Sequence, residues 1–411
     1  MSIIGSQKFA VLLCKFHDAP DVEPQPTHFF VDLFMKRGTG GVNDYWMEAS
    51  LGHINLDGSE VFGWRVLSEN RVAFINTHPG RWDKIQGAIA AFPEVDTSKY
   101  AGVVAIFNQD PGDAGASGGV LAGPGDTNVT FMAHETGHHL GLEHSFDQSD
   151  RTLISWSAPG EYYDEHDVMS AMHVHSDIGH RFSPRGPLLN TANLDRMEWL
   201  PAARVWSSPT KNSSDRFQFD LVSLSHPEIP GFLAAKIGGR YIEFRMNERW
   251  DLGISRPCVL IHELHDGNSV VVASDRASWN YEWQPGQRFG PSDFVMSTRG
   301  GVRIYIESFN LAAKTARISL EVQAGRRLVA GPGRIVGGVA EGGGGWIILP
   351  SGRRVPVPPR GPLLDILRVI ADVADAEQVP TMVEEMTLTR ENELLRALQG
   401  RLSHDKRNRG V

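Results

Sequence analysis

The chain has 411 residues, 41% of them apolar, with a formal net charge of −9. That content suffices for ordinary globular cores in two or three domains, and the acidic balance argues against a nucleic-acid partner, which needs a basic face. The two cysteines, Cys14 and Cys258, sit far apart in separate apolar runs, so a disulfide framework is not indicated and two buried free thiols are expected.

The N-terminus shows no recognisable signal peptide, because Lys8 interrupts early and the apolar run that follows is strand-like. No stretch approaches the ~20 apolar residues of a membrane span. A soluble chain is expected: intracellular, exported without a cleaved signal, or in mature form. Residues 8–16 read as a buried strand and 27–36 as a helix, with Phe30, Leu33 and Phe34 at helical spacing behind Thr27. A strand follows at 61–67, a helix at 82–92, a buried strand at 102–107, a Gly/Asp-rich loop at 108–119, a short apolar run at 120–122 and a helix at 128–140. This order predicts an α+β domain with a mixed sheet over residues 1–202. Beyond Pro201, β-branched runs at 241–246, 259–264, 269–273, 302–307 and 316–322 alternate with turn residues and predict an all-β sandwich over 203–325. Residues 326–362 have the Gly/Pro content of a linker, with a small hairpin at 346–349 and 354–357. Residues 363–411 read as a helical tail, with Leu363, Leu364, Leu367 and Ile370 on one face.

The stretch 134–144 reads His-Glu-Thr-Gly-His-His-Leu-Gly-Leu-Glu-His. On a helix, His134 and His138 project from one face, a spacing that suits two imidazoles on one zinc ion. Glu135 lies ~100° around the helix, beside the metal, where a carboxylate can act as general base on a water. His144 would stand ~15 Å beyond His134 if the helix continued. The chain must therefore turn between His138 and His144, and Gly141 is placed to make that turn because glycine adopts positive φ at little cost. Zn2+ held by His134, His138 and His144, with Glu135 catalytic, is the resulting expectation.

The spacing H-E-x-x-H-x-x-G-x-x-H is the metzincin signature, and over residues 5–202 the chain resembles that clade of zinc endopeptidases. Within the clade, the segments Asn43-Asp44-Tyr45-Trp46 and Phe62-Gly63-Trp64 look like the gametolysin and immune-inhibitor-A groups. The resemblance implies a methionine turn below the zinc, matched here by Met169, with Met172 as fallback. It also implies a substrate peptide bound along a sheet edge, for which 118–123, and within it Gly119, Val120 and Leu121, is the candidate. Some members carry a tyrosine two residues after the turn methionine. Here that position is Ala171; Tyr162 and Tyr163 are nearby in sequence but have no assigned role, which leaves the oxyanion-stabilising group open.

Asp110, Asp113 and Asp126, in and just after the Gly/Asp-rich loop, are candidate Ca2+ ligands. His139 points well away from the His134/His138 face, while His166, His173, His175 and His180 lie near the methionine turn and are candidates to line the cleft; most of these side chains read as solvated or hydrogen-bonded, and His262-Glu263-Leu264-His265 as part of a strand. The expected activity is hydrolysis of peptide bonds in a peptide or protein substrate through a Glu135-activated zinc-bound water. The alternative is a catalytically weak or inactive metzincin-like protein that recognises a protein or glycan through its β-sandwich.

Overall fold

The computed structural model describes residues 3–207, 215–290 and 301–323, together with three short strands further on. The chain clusters into two compact units, Met1–Gly325 and Arg326–Val411.

The first unit runs through β1 (Gly5–Ser6), β2 (Phe9–Lys15), α1 (Thr27–Phe34), α2 (Val42–Ala49), β3 (Ile54–Asn55), β4 (Glu60–Val66), α3 (Arg71–Thr77), α4 (Arg81–Ala90), β5 (Gly102–Phe107), β6 (Gly115–Ala116), β7 (Val120–Ala122), α5 (Val129–His139), β8 (Ser145–Asp147) and α6 (Thr191–Arg196). It continues through β9 (Val205–Ser207), β10 (Asp215–Val222), β11 (Ala234–Ile237), β12 (Arg240–Arg245), β13 (Cys258–His265), β14 (Asn268–Val271), β15 (Arg288–Phe289), β16 (Gly301–Asn310) and β17 (Thr315–Gln323).

A five-stranded sheet has the order β4-β2-β5-β7-β6, parallel except for β6. Its central strands β2 and β5 are apolar runs, apart from Lys15 at the end of β2, because both faces are covered. In β2, Phe9, Val11 and Leu13 enter one core with residues of α1, α2 and α5, while Ala10, Leu12 and Cys14 enter another with Phe74, Ile85 and Ala88 of α3 and α4. Cys14 and Cys258 are both buried and free, as expected.

Two further sheets, β8-β14-β13-β12-β11-β9 and β10-β17-β16-β15, enclose one core of Ile242, Phe244, Val259, Ile261, Ile304, Ile318 and their neighbours. The change of texture at residue 202 therefore marks a change of secondary structure and does not separate two compact bodies. Strand β8, which follows His144 directly, pairs in parallel with β14 of the second half. The apolar positions Leu194, Met197 and Trp199 are those of a helix over 191–200, but α6 ends at Arg196, where Glu198 takes a φ of 61° and Trp199 N turns back to Leu194 O at 2.9 Å. In the second unit β18 (Gly337–Val339), β19 (Gly345–Ile348) and β20 (Arg354–Val357) form an antiparallel sheet that contains the expected hairpin. The expected helical tail at 363–411 lies outside the described residues. Among the described residues no helix is long and apolar enough to cross a membrane.

A buried ion cluster ties the two halves of the first unit together. Arg245 on β12, fully buried, donates Nη1 to Glu243 Oε1 at 2.9 Å and Nε to Asp251 Oδ2 at 2.7 Å, with a second contact from Nη2 to Asp251. The same carboxylates accept Thr191 N at 2.5 Å and Leu188 N at 3.0 Å, so the segment leading into α6 is fastened to the second half. Replacing Arg245 by methionine strands two buried carboxylates without their cation. The expected loss is about 3–5 kcal/mol of unfolding free energy in urea titrations followed by tryptophan fluorescence. A loss under about 1 kcal/mol would contradict the role given to this cluster.

Candidate metal centre

Helix α5 starts at Asn128, whose side chain caps Phe131 N at 2.9 Å. Val129, Met132 and Ala133 face the core, and Thr136 accepts Trp46 Nε1 of α2 at 2.9 Å. Helix α2 itself follows a glycine-rich turn in which Asp44 accepts the amides of Gly38, Thr39 and Gly40 at 2.7–2.8 Å. The Asn43–Trp46 segment singled out in the sequence thus lies on a helix docked against α5.

The helix ends as Gly141 requires. Gly141 has a φ of 88°, its N–H donates to His138 O at 3.0 Å, and Leu142 N donates to Gly137 O at 3.0 Å. These two bonds are a Schellman closure with glycine at the left-handed position. Arg196 of α6 satisfies the Gly141 carbonyl at 2.8 Å. A Cβ at position 141 would meet nothing within 4 Å, so the demand for glycine there is purely conformational. At Gly137 the demand is steric, since a Cβ would stand 2.7 Å from Met169 Sδ. Met169 is fully buried in a short 3-10 turn capped by Asp167, whose side chain accepts Met169 N at 2.7 Å. Met172 is 54% exposed, so Met169 is the methionine beneath the helix.

The turn brings the three imidazoles together. His138 Nε2 lies 3.0 Å from His134 Nε2 and 3.0 Å from His144 Nε2. Each remaining ring nitrogen is held from behind: His134 Nδ1 by Val168 O at 3.0 Å, His138 Nδ1 by Leu142 O at 2.9 Å and His144 Nδ1 by Glu161 Oε1 at 2.5 Å. With the ring protons directed outward, three Nε2 lone pairs face one another, an arrangement that a cation between them would relieve. Their spacing suits tetrahedral zinc, whose Zn–N bonds of ~2.0–2.1 Å put ligand atoms about 3.3 Å apart. Burial, and next the neighbouring histidines, hold His134 and His138 below the usual imidazole range, so both are neutral and able to ligate.

Glu135 is 8% exposed. Burial pushes its carboxyl up to about 7, against the opposing pull of Arg81 and of the Ala116 amide bonded to it. Two more residues stand beside the histidines: Glu161, which the sequence did not single out, and Tyr162, which it left unassigned. Glu161 orients His144, and Tyr162 places its hydroxyl 3.4 Å from His144 Nε2. Tyr162 is itself in a left-handed conformation, φ 68°, a costly state for a tyrosine that swings its ring over His144 with centroids 4.6 Å apart. Burial, and then the charges of Glu161 and Glu135, keep its phenol protonated.

Three expectations are corrected. Gly119, Val120 and Leu121 do not form the free sheet edge: β7 is flanked by β5 and β6, and β6 (Gly115–Ala116) is outermost. Gly118, with φ 65°, turns the chain back so that β6 covers β7. Asp110, Asp113 and Asp126 are not gathered for calcium. Asp113 pairs with Arg81 at 2.8 Å, Asp126 accepts Gly123 N at 2.8 Å, and Asp110 accepts Gly112 N at 2.7 Å. His166 is neither solvated nor hydrogen-bonded, being 1% exposed with both ring nitrogens unpartnered. Other histidines do find partners: His173 and His175 bind Glu165 at 2.5 and 2.8 Å, and His139 packs edge-on against Phe9.

Comparison with protein-family models, with curated proteins and with solved structures finds no match to this chain.

Because Glu161 holds the His144 ring from behind, Glu161→Ala should weaken zinc binding by roughly 10–100-fold while the fold persists. Competition against a chromogenic chelator measures this, and an unchanged affinity would remove Glu161 from the site.

Proposed function

We propose that the chain is a zinc-dependent endopeptidase of the metzincin type. The observation that carries the reading is the convergence of three Nε2 atoms at the end of α5, with a buried carboxylate one residue after the first of them. His134, His138 and His144 would hold the ion. Zinc, when bound, supplies a Lewis acid that polarises a carbonyl oxygen and makes a neighbouring water more acidic.

The chain's own residues supply the rest. Glu135 takes the proton of the attacking water as general base and passes it to the departing amine. Its carboxyl, buried and shifted toward neutrality, is suited to both halves of that transfer. The Ala116 amide holds it in place, and that amide belongs to β6, the outermost strand. A substrate backbone added alongside β6 would run next to Glu135, in the β-augmentation mode. Tyr162 donates its hydroxyl toward the oxyanion, in place of the tyrosine missing two residues after Met169. Neutral at working pH and held over the histidines, it needs no reorganisation to do so.

Two variants test this reading on casein and on a peptide library. Glu135→Ala should retain zinc but lose roughly 10²–10⁴-fold in kcat/KM. Full activity in that variant would sink the mechanism. Zinc uptake by the unaltered chain with no turnover of any peptide would favour the binding-protein alternative instead. Tyr162→Phe should lower kcat by about 10²-fold with little change in KM; a loss confined to KM would make Tyr162 a substrate contact.

A further inference from the structure

A second cluster of ligating side chains lies where the methionine-turn loop meets the β-rich half. His166, Cys258 and Glu282 each offer one donor atom, all within 4.8 Å of one another. The three residues are 1%, 0% and 7% exposed. His166 Nε2 stands 3.5 Å from Glu282 Oε1, long for a hydrogen bond, and neither ring nitrogen of His166 has a partner. An imidazole so deeply buried with both nitrogens idle is costly unless something occupies its lone pair.

The placement is fixed by backbone and by side chains behind the donors. Cys258 opens β13, and the adjoining Val259 bridges Trp283 with N–H···O distances of 3.0 and 2.9 Å, which sets Glu282 next to the thiol. Ser255 Oγ donates to one Glu282 oxygen at 2.9 Å and Arg256 Nε to the other at 2.6 Å, the kind of support that orients a ligating carboxylate. A cavity of about 320 Å³ adjoins the cluster, lined by His166, His175, Glu165, Tyr281 and Glu282 among others. Two of the three residues, His166 and Glu282, line it, which leaves room for a water as fourth ligand.

We propose that His166, Cys258 and Glu282 form a second metal site, for a divalent ion of zinc's class. One nitrogen, one sulfur and one oxygen donor with a water-accessible fourth position suit a borderline ion better than calcium or magnesium, which take oxygen ligands. Binding at this site requires loss of the Cys258 thiol proton to solvent or to a base. The ion joins the loop that leads into Met169 to β13 and to the segment after β14, and so braces the floor of the first site from outside it. The proposal does not depend on the peptidase reading.

Cobalt(II) separates the two sites, because the first has only imidazole ligands and the second a thiolate. The full-length chain, loaded with cobalt(II), should hold two ions and show a near-ultraviolet thiolate-to-cobalt charge-transfer band. His138→Ala should keep that band. Cys258→Ser should lose it and retain one ion, and Cys14→Ser should leave it unchanged. The unaltered chain decides the matter even if a variant fails to fold. One ion per chain with no charge-transfer band, or a band that survives Cys258→Ser, overturns the proposal.

Discussion

Everything at the candidate metal centre depends on where one helix stops. Had α5 continued, His144 would lie ~9 Å along the axis from His138 and on another face, beyond the reach of a shared ion. The Schellman closure at Gly141 reverses the chain within three residues and returns the His144 ring to the other two. An L-residue at that φ would cost about 1–2 kcal/mol, and an end without the closure would leave carbonyls of the last turn unpaired. The same turn of helix carries Gly137, whose missing side chain lets Met169 close against it. One glycine sets the path of the ligand and the other sets the depth of the floor.

The turn alone does not hold His144, because the five residues between α5 and β8 have more freedom than a converging imidazole can use. What restrains it is the second half of the unit. Ser145, the next residue, is fully buried and begins β8, paired to β14. Its carbonyl accepts Ser170 Oγ at 2.8 Å and Tyr162 N at 3.3 Å, and its own Oγ accepts Asn193 Nδ2 at 3.1 Å. Phe146 bridges Glu161, which places the carboxylate behind His144. The β-rich half is therefore part of the scaffold of the site.

What could be read from the sequence was what is local. The ligand spacing within α5, the need for a bend and the glycine that makes it are all contained in eleven residues, and the buried strands β2 and β5 announce themselves by unbroken apolar runs. Glu161 was not legible, and Tyr162 could be noticed but given no role, since they lie 17 and 18 residues beyond His144 with no periodicity to link them. The edge strand was misread for a related reason. Val120, Leu121 and Ala122 are apolar at every position, which marks an interior strand, whereas the true edge, Gly115–Ala116, has almost no side chains to signal it. Helix α2 carried no helical signal because its polar residues serve a glycine-rich turn, through Asp44, and the segment just after β3, where Asn43 accepts Leu56 N, and not a solvent face.

The loop between the third histidine and the methionine turn shows where stability gives way to placement. Asp164 and Asp167 are both fully buried, a few residues apart. Asp164 is paired with His262 at 3.0 Å. Burial, and then the charge of Asp164, hold the Asp167 carboxyl above the usual carboxylate range. A carboxyl whose folded pKa is raised contributes stability below its unfolded pKa and loses that contribution as pH rises through the folded value. At neutral pH, then, Asp167 works against the fold. Its oxygens nevertheless accept Met169 N at 2.7 Å, Asn190 N at 2.7 Å and Asn193 Nδ2 at 3.2 Å. A neutral isostere such as asparagine could not accept all of these bonds with both of its terminal atoms, because its amide nitrogen only donates. The buried charge is thus the feature that can fasten the methionine turn and the start of α6 at one point, and the fold tolerates its cost where Met169 must lie beneath Gly137.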